Sequence, residues 1–184
     1  MAHCVSVETE RPARSDRFLL DTNVILFVAY QVLSGDLVRA KRNAYSGFLD
    51  RCRTAGSELY VCGLSFSEVA GTAERFRWKE YGGADVCEQK AFRKIAPQRS
   101  LVLADLQQVW DDITKVASVV SATNDKQAVE RVATVFGTAS IDGYDGFLID
   151  VAQQEKIPNI VTDDGDFALA SNLVVFTANR SLLD

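Results

Sequence analysis

Histidine is almost missing from this 184-residue chain: the single copy, His3, lies in a polar N-terminal stretch. That scarcity argues against a Ser-His-Asp triad, a Cys-His pair and a His-rich metal site. Cysteine is also scarce. Cys4, Cys52, Cys62 and Cys87 form no C-x-x-C pair, so neither a zinc knuckle nor a dithiol redox site is supported, and all four are expected as reduced residues. Neither G-x-x-x-x-G-K-[ST] nor G-x-G-x-x-G occurs, which removes the usual phosphate-cradling glycine loops. Long apolar runs are lacking too. Residues 24–30 form a run of only seven, far short of the ~20 that a spanning helix needs. The polar first seventeen residues hold no apolar signal core, so a cytoplasmic location without a membrane partner is expected. With 47% hydrophobic and 24% charged residues, the composition is that of a chain that folds around a core, not of a disordered or collagen-like one.

What is present reads as alternating strands and helices. Residues 18–21 form a buried run that stops at Asp21, and residues 24–33 and 37–54 have helical patterning with a stop near Gly56. A second strand is expected at 59–62. Ser65 or Ser67 would cap the next helix, which Gly82 and Gly83 end. A basic helical stretch follows up to Pro97, then helices over 101–120 and about 126–136, with Trp110 in the apolar stripe of the first. Residues 142–155 form a helix whose stripe of Phe147, Leu148, Val151 and Ala152 leaves Asp150 toward solvent. Strands at 159–162 and 173–176 complete an α/β pattern with a parallel sheet. Residues 1–17 are expected as a polar tail and 18–184 as one domain, at about 150 residues per domain.

The acids fall where such a fold builds its sites. Asp21 ends the first strand, Glu68 lies in the first turns of the helix after the second, and Asp164 and Asp166 follow the third directly. All four belong to the carboxyl edge of a parallel sheet, where ligand crevices form. Asp145 joins them if its helix starts at that edge. Gathered carboxylates raise each other's pKa, and a divalent cation removes that cost. Mg²⁺ or Mn²⁺ suits an all-oxygen donor set and can activate water against a phosphodiester.

Four segments, Leu20-Asp-Thr-Asn-Val24, Ser67-Glu-Val-Ala70, Asp145-Gly-Phe-Leu-Ile-Asp-Val-Ala152 and Val161-Thr-Asp-Asp-Gly-Asp-Phe167, resemble the ordered motifs of PIN-domain ribonucleases. The resemblance implies a three-layer α/β/α fold around a central parallel sheet of about four to five strands. It also implies a Mg²⁺- or Mn²⁺-dependent endoribonuclease that leaves 5′-phosphate and 3′-hydroxyl ends. By the same resemblance Asp21, Glu68, Asp145 and Asp164 are the catalytic acids and metal ligands, and Asp166 is a further acid of the metal site. Thr22, Asn23 and Thr162 are supporting polar groups. Asp142, one helical turn before Asp145, competes with it for the third position. Many members are toxins of toxin–antitoxin pairs, so an antitoxin partner is implied. The extra length at about 78–135 departs from those toxins.

A net charge of −5 is unusual for an RNA binder, yet the five site acids account for all of it. Residues 75–99 carry seven basic side chains against three acidic ones. Arg75, Arg77, Lys79, Arg93 and Lys94, interleaved with Phe76, Trp78 and Tyr81, form a candidate RNA-binding rim. An ordinary charged helical face is the alternative. The apolar 101–120 helix could serve a homodimer or an antitoxin surface. A PIN-like module that binds RNA or protein without cutting is the main rival function. A receiver fits poorly, since no lysine follows Lys156, and the stretch Asp21-Thr-Asn-Val-Ile25 is not the Asp-x-Asp-x-Thr of a phosphatase.

Overall fold

The computed structural model describes residues 2–137 and 140–183; Met1, Thr138, Ala139 and Asp184 lie outside the described residues. Six strands, β1 (His3–Ser6), β2 (Arg17–Leu20), β3 (Glu58–Cys62), β4 (Ser118–Val120), β5 (Asn159–Val161) and β6 (Val174–Thr177), form one sheet in the order β1-β6-β5-β2-β3-β4. Every pairing is parallel. The helices are α1 (Thr22–Ala29), α2 (Asp36–Ala55), α3 (Ser65–Glu80), α4 (Gln89–Phe92), α5 (Ala96–Thr114), α6 (Lys126–Phe136) and α7 (Gly143–Gln154).

Side-chain alternation along the strands makes the three layers. Phe18 and Leu20 of β2 point to one face, where they join Val61, Val161 and Phe176 under α1, α2, α3 and α5. Leu19, between them, points to the other face with Ile160 and Val175, beneath Leu148, Ile149 and Ala152 of α7. Behind α7 lies α6. A Cβ at Gly146 would come 2.8 Å from Val132 Cγ1, so the glycine is what lets the two helices approach this closely. The expected stop at Gly56 is a left-handed C-cap at φ 77°, and its N–H closes the last turn of α2.

The six strands exceed the expected four to five, and two of them, β1 and β4, come from segments not expected to be strands. The segment expected as a polar tail contributes β1, which pairs with β6 and brings the adjacent Val7 to complete burial. The helix expected over 101–120 ends at Thr114, and β4 then pairs with β3 as the opposite edge. Leu106, Val109 and Ile113 are buried as the spacing suggests, whereas Leu103 and Val116 are exposed. Trp110 is only partly buried and meets Phe66 edge to face at 5.4 Å. The basic stretch before Pro97 forms a single short helix, α4. Asp150, expected toward solvent, is buried, and both its oxygens are held by the Arg131 guanidinium of α6 at 2.6 and 2.9 Å.

Position follows from topology. The chain leaves β2 for β3 and β4 on one side, then returns to β5 and β6 on the other. The reversal lies between β2 and β5, the place where open parallel sheets form their crevice.

Candidate active site

Asp21 stands at this reversal, immediately after β2. It caps α1: one carboxylate oxygen accepts from the Thr22 N–H at 2.6 Å. The other accepts from the Thr162 hydroxyl at 2.6 Å and the Asn23 amide at 2.5 Å. Asn23 also receives the Asp163 N–H, so the loop after β5 is tied to the first turn of α1. Thr162 is fully buried and its hydroxyl also accepts from the Asp164 N–H. The polar residues around Asp21 thus act together, as orienting groups for one buried carboxylate.

Asp145 enters from α7. Its helix is capped by Asp142, one oxygen of which accepts the Tyr144 and Asp145 N–H groups at 2.8 and 2.9 Å. Asp142 is exposed and engaged as a cap, whereas Asp145 is buried among the other acids. Burial raises Asp145 to about 8, helped by the charges of Asp142, Asp21, Asp164 and Glu68. Asp21 rises to about 7, chiefly by burial, against the lowering effect of its Thr162 and Thr22 bonds and with Glu68 and Asp164 adding repulsion. Glu68, in the first turn of α3, is raised by partial loss of water, with a Thr22 hydrogen bond opposing and Asp142 and Asp164 reinforcing. The charge of Asp164 reaches all three.

Four acids from four separate segments therefore stand near enough for their charges to act on one another. Asp166 is different. Like Glu68 and Asp164 it is exposed, but it opens a short 3-10 turn (Asp166–Leu169) and is not among the main charges that shift Asp21, Glu68 or Asp145. Its N–H donates to the Asp164 carboxylate at 2.9 Å, which shapes the loop. Asp163, despite its place beside Asp164, turns away to Lys41 at 2.6 Å and to the Tyr45 hydroxyl at 2.7 Å.

The donor set fits a hard divalent cation, because it is all oxygen and its members destabilise one another's charge. Among the described residues no three such side chains already stand in ligand geometry, so closing on a cation requires side-chain rotation. The shifts also give a metal-free prediction. Asp21 and Asp145 titrate well above the 3.8 of an ordinary aspartate, so protonation favours the fold. Their contribution is complete at low pH and is lost as pH rises through about 7 and 8. Thermal melts in EDTA should fall by about 5 °C between pH 6 and pH 9, at roughly 2–4 °C per kcal/mol. Saturating Mg²⁺ should remove most of that fall, and a flat EDTA profile would contradict it.

The expected RNA-binding rim is only partly available. Arg77 makes a two-pronged pair with Asp105 at 2.7 and 2.8 Å and also reaches Glu80. Arg93 is paired with Glu74. Phe76 packs edge-on to Tyr30, Trp78 donates to the Cys87 carbonyl, and Tyr81 lies against Phe92. The aromatics hold the segment together and are not presented as a stacking ladder. Arg75, Lys79 and Lys94 are exposed.

Two groups near the acids were not read from the sequence as belonging to the site. Tyr144 lies between Asp142 and Asp145, and its hydroxyl meets those of Ser65 and Thr22. Ser65, expected as a cap, makes no capping bond and turns to Tyr144 instead.

A family model described as PIN domain matches residues 18–173. This chain belongs to the PIN-domain family. Family members are generally nucleases. No curated protein matches. Among solved structures, this PIN-domain chain is similar to one in the crystal structure of VapBC2 from Rickettsia felis bound to a DNA fragment from their promoter. There the TM-score is 0.53 at 11% identity, covering 88% of this chain and 98% of that one. It is similar also to a chain of FitAcB from Neisseria gonorrhoeae, with TM-score 0.50 and 17% identity over 87% of this chain and 96% of that one. At such identities the likeness concerns the fold.

Proposed function

We propose that this PIN-domain chain is an endoribonuclease that hydrolyses RNA phosphodiesters with Mg²⁺ or Mn²⁺. The observation that carries the reading is the meeting of Asp21, Glu68 and Asp145 at the topological switch, where burial first and neighbouring acids second raise all three carboxyls, a cost that a bound cation would relieve. Asp21, Glu68, Asp145 and Asp164 would hold the cation. Bound there, it supplies the positive charge that lowers the pKa of water and offsets that of the phosphodiester. Thr162 and Asn23 keep the Asp21 carboxylate aimed. Arg75, Lys79 and Lys94 are the side chains of the basic segment left to meet the RNA backbone. Asp166, whose N–H donates to the Asp164 carboxylate, would be a further acid at the margin of that site.

An antitoxin partner belongs to the same proposal on the resemblance of the motifs, and a small protein encoded beside this chain should co-purify with it. The decisive experiment is cleavage of a mixed RNA substrate by purified protein with Mg²⁺ or Mn²⁺, then with EDTA. Cleavage leaving 5′-phosphate ends and lost in EDTA is the expected result. Binding of RNA without cleavage in either metal would favour the non-cutting module.

A further inference from the structure

Tyr144 occupies a position that the four-acid scheme does not use. It is a bulky, largely enclosed side chain in the first turn of α7, next to Asp145. Its hydroxyl lies 2.7 Å from Ser65 Oγ, to which it donates, and 3.1 Å from Thr22 Oγ1. Ser65 is the first residue of α3 and Thr22 the first of α1; both are buried. Thr22 also lies near enough to Glu68 to oppose the upward push of burial on its carboxyl. One phenol therefore joins the three helix starts that carry the residues beside Asp21, Glu68 and Asp145.

The pattern is economical in bonds. Thr22 follows Asp21 directly, Ser65 precedes Glu68 by three residues on one helix face, and Tyr144 precedes Asp145. A contact between the three hydroxyls sets the distances between the three helix starts, and so between the acids next to them. Nothing else among the described residues joins those three starts by side-chain hydrogen bonds. Backbone pairing in the sheet fixes where β2 and β3 end, but α7 is not adjacent to either in sequence. Asp145 reaches the crevice only as accurately as α7 is docked.

We propose that Tyr144 is a positioning residue: its hydroxyl locks α7 to α1 and α3 through Thr22 and Ser65, and thereby fixes the helix starts from which Asp145 and Glu68 close on a cation. The proposal rests on the reading of the acids as a cation site. Groups one step removed from ligands typically change metal affinity by ~10–100-fold when removed. Tyr144→Phe deletes only the hydroxyl and keeps the ring in the core.

The test measures Mn²⁺ affinity by calorimetry for wild type, Tyr144→Phe, Thr22→Val, the double variant and Asp145→Asn, with urea unfolding of each in EDTA. Tyr144→Phe should bind Mn²⁺ about tenfold more weakly than wild type. The double variant should be no weaker than the worse single variant, because both remove the same connection. Unfolding in EDTA should show coupling between the two positions. A purely structural tyrosine would lower stability but leave Mn²⁺ affinity unchanged. Wild-type affinity in Tyr144→Phe, or losses that multiply in the double variant, would overturn the positioning role while leaving the cation site standing. Failure of wild type itself to bind Mn²⁺, or undiminished binding by Asp145→Asn, would overturn the site reading and the proposal with it.

Discussion

Asp145→Asn should lower RNA cleavage by at least ~10²–10³-fold and, in the absence of metal, make the protein more stable rather than less. The two effects share one cause. Asp145 is 8% exposed and carries a carboxyl raised to about 8 by burial and by four neighbouring acids. Asparagine has the same shape and keeps oxygen in place, but it removes the charge that burial and repulsion disfavour. In EDTA at pH 8.5 the variant should melt a few degrees above wild type, a gain of roughly 1–2 kcal/mol after solvent screening is allowed for. As pH falls from about 8 toward 3.8, the ordinary aspartate value at which the unfolded chain also takes up its proton, the gap should close progressively, and below that value the melts should converge. With Mg²⁺ present the order should reverse, because only wild type gains from the bound cation. Equal cleavage by both proteins would remove Asp145 from the site and turn attention to Asp142. A variant less stable than wild type in EDTA at pH 8.5 would show that the carboxylate is satisfied without a cation.

Arg131→Met should be the most damaging change away from the crevice. Asp150 is 3% exposed, and the Arg131 guanidinium binds both of its oxygens. Deleting the arginine leaves a carboxylate inside the contact between α6 and α7, where it must stay charged in a poor solvent or take up a proton. Breaking a buried pair from one side typically costs ~3–5 kcal/mol. Arg131 is itself about a third exposed, so some water will reach the stranded group, and about 2–3 kcal/mol is expected. Melting should fall by about 5–10 °C. The double variant Arg131→Met with Asp150→Leu should recover most of that loss, because two apolar groups replace the pair. Cleavage per folded molecule should remain near wild type at temperatures where the variant is folded. A loss below about 0.5 kcal/mol would mean that Asp150 reaches solvent or another partner.

The sheet and its site were legible to different depths. Phe18, Leu19 and Leu20, and likewise Ile160 and Val161, are buried on both faces of a parallel sheet, so they read as continuous apolar runs. Asp21, Glu68 and Asp164 were legible because each follows a strand or opens a helix at the same edge. The edge strands were not. His3 pairs with Val174 and Cys62 with Val120, and pairings over such separations leave little local mark in three- or four-residue segments. Basic residues between 75 and 99 looked available because sequence displays charge but not its partner; Asp105 and Glu74 consume Arg77 and Arg93.

By itself, then, the sequence determined the alternating α/β frame, the four acids and the family to which they belong. Those follow from local order: hydrophobic periodicity, turn chemistry, and acids placed beside strand ends. Tertiary structure alone decided which acids feel one another's charge, that Asp163 turns to Lys41 and Tyr45, and that Tyr144, Ser65 and Thr22 meet. It also decided that Asp150 is a buried partner of Arg131. The reason is physical: burial and pairing are properties of segments brought together from far apart in the chain, and a carboxylate becomes a site or a strut according to what the fold sets against it.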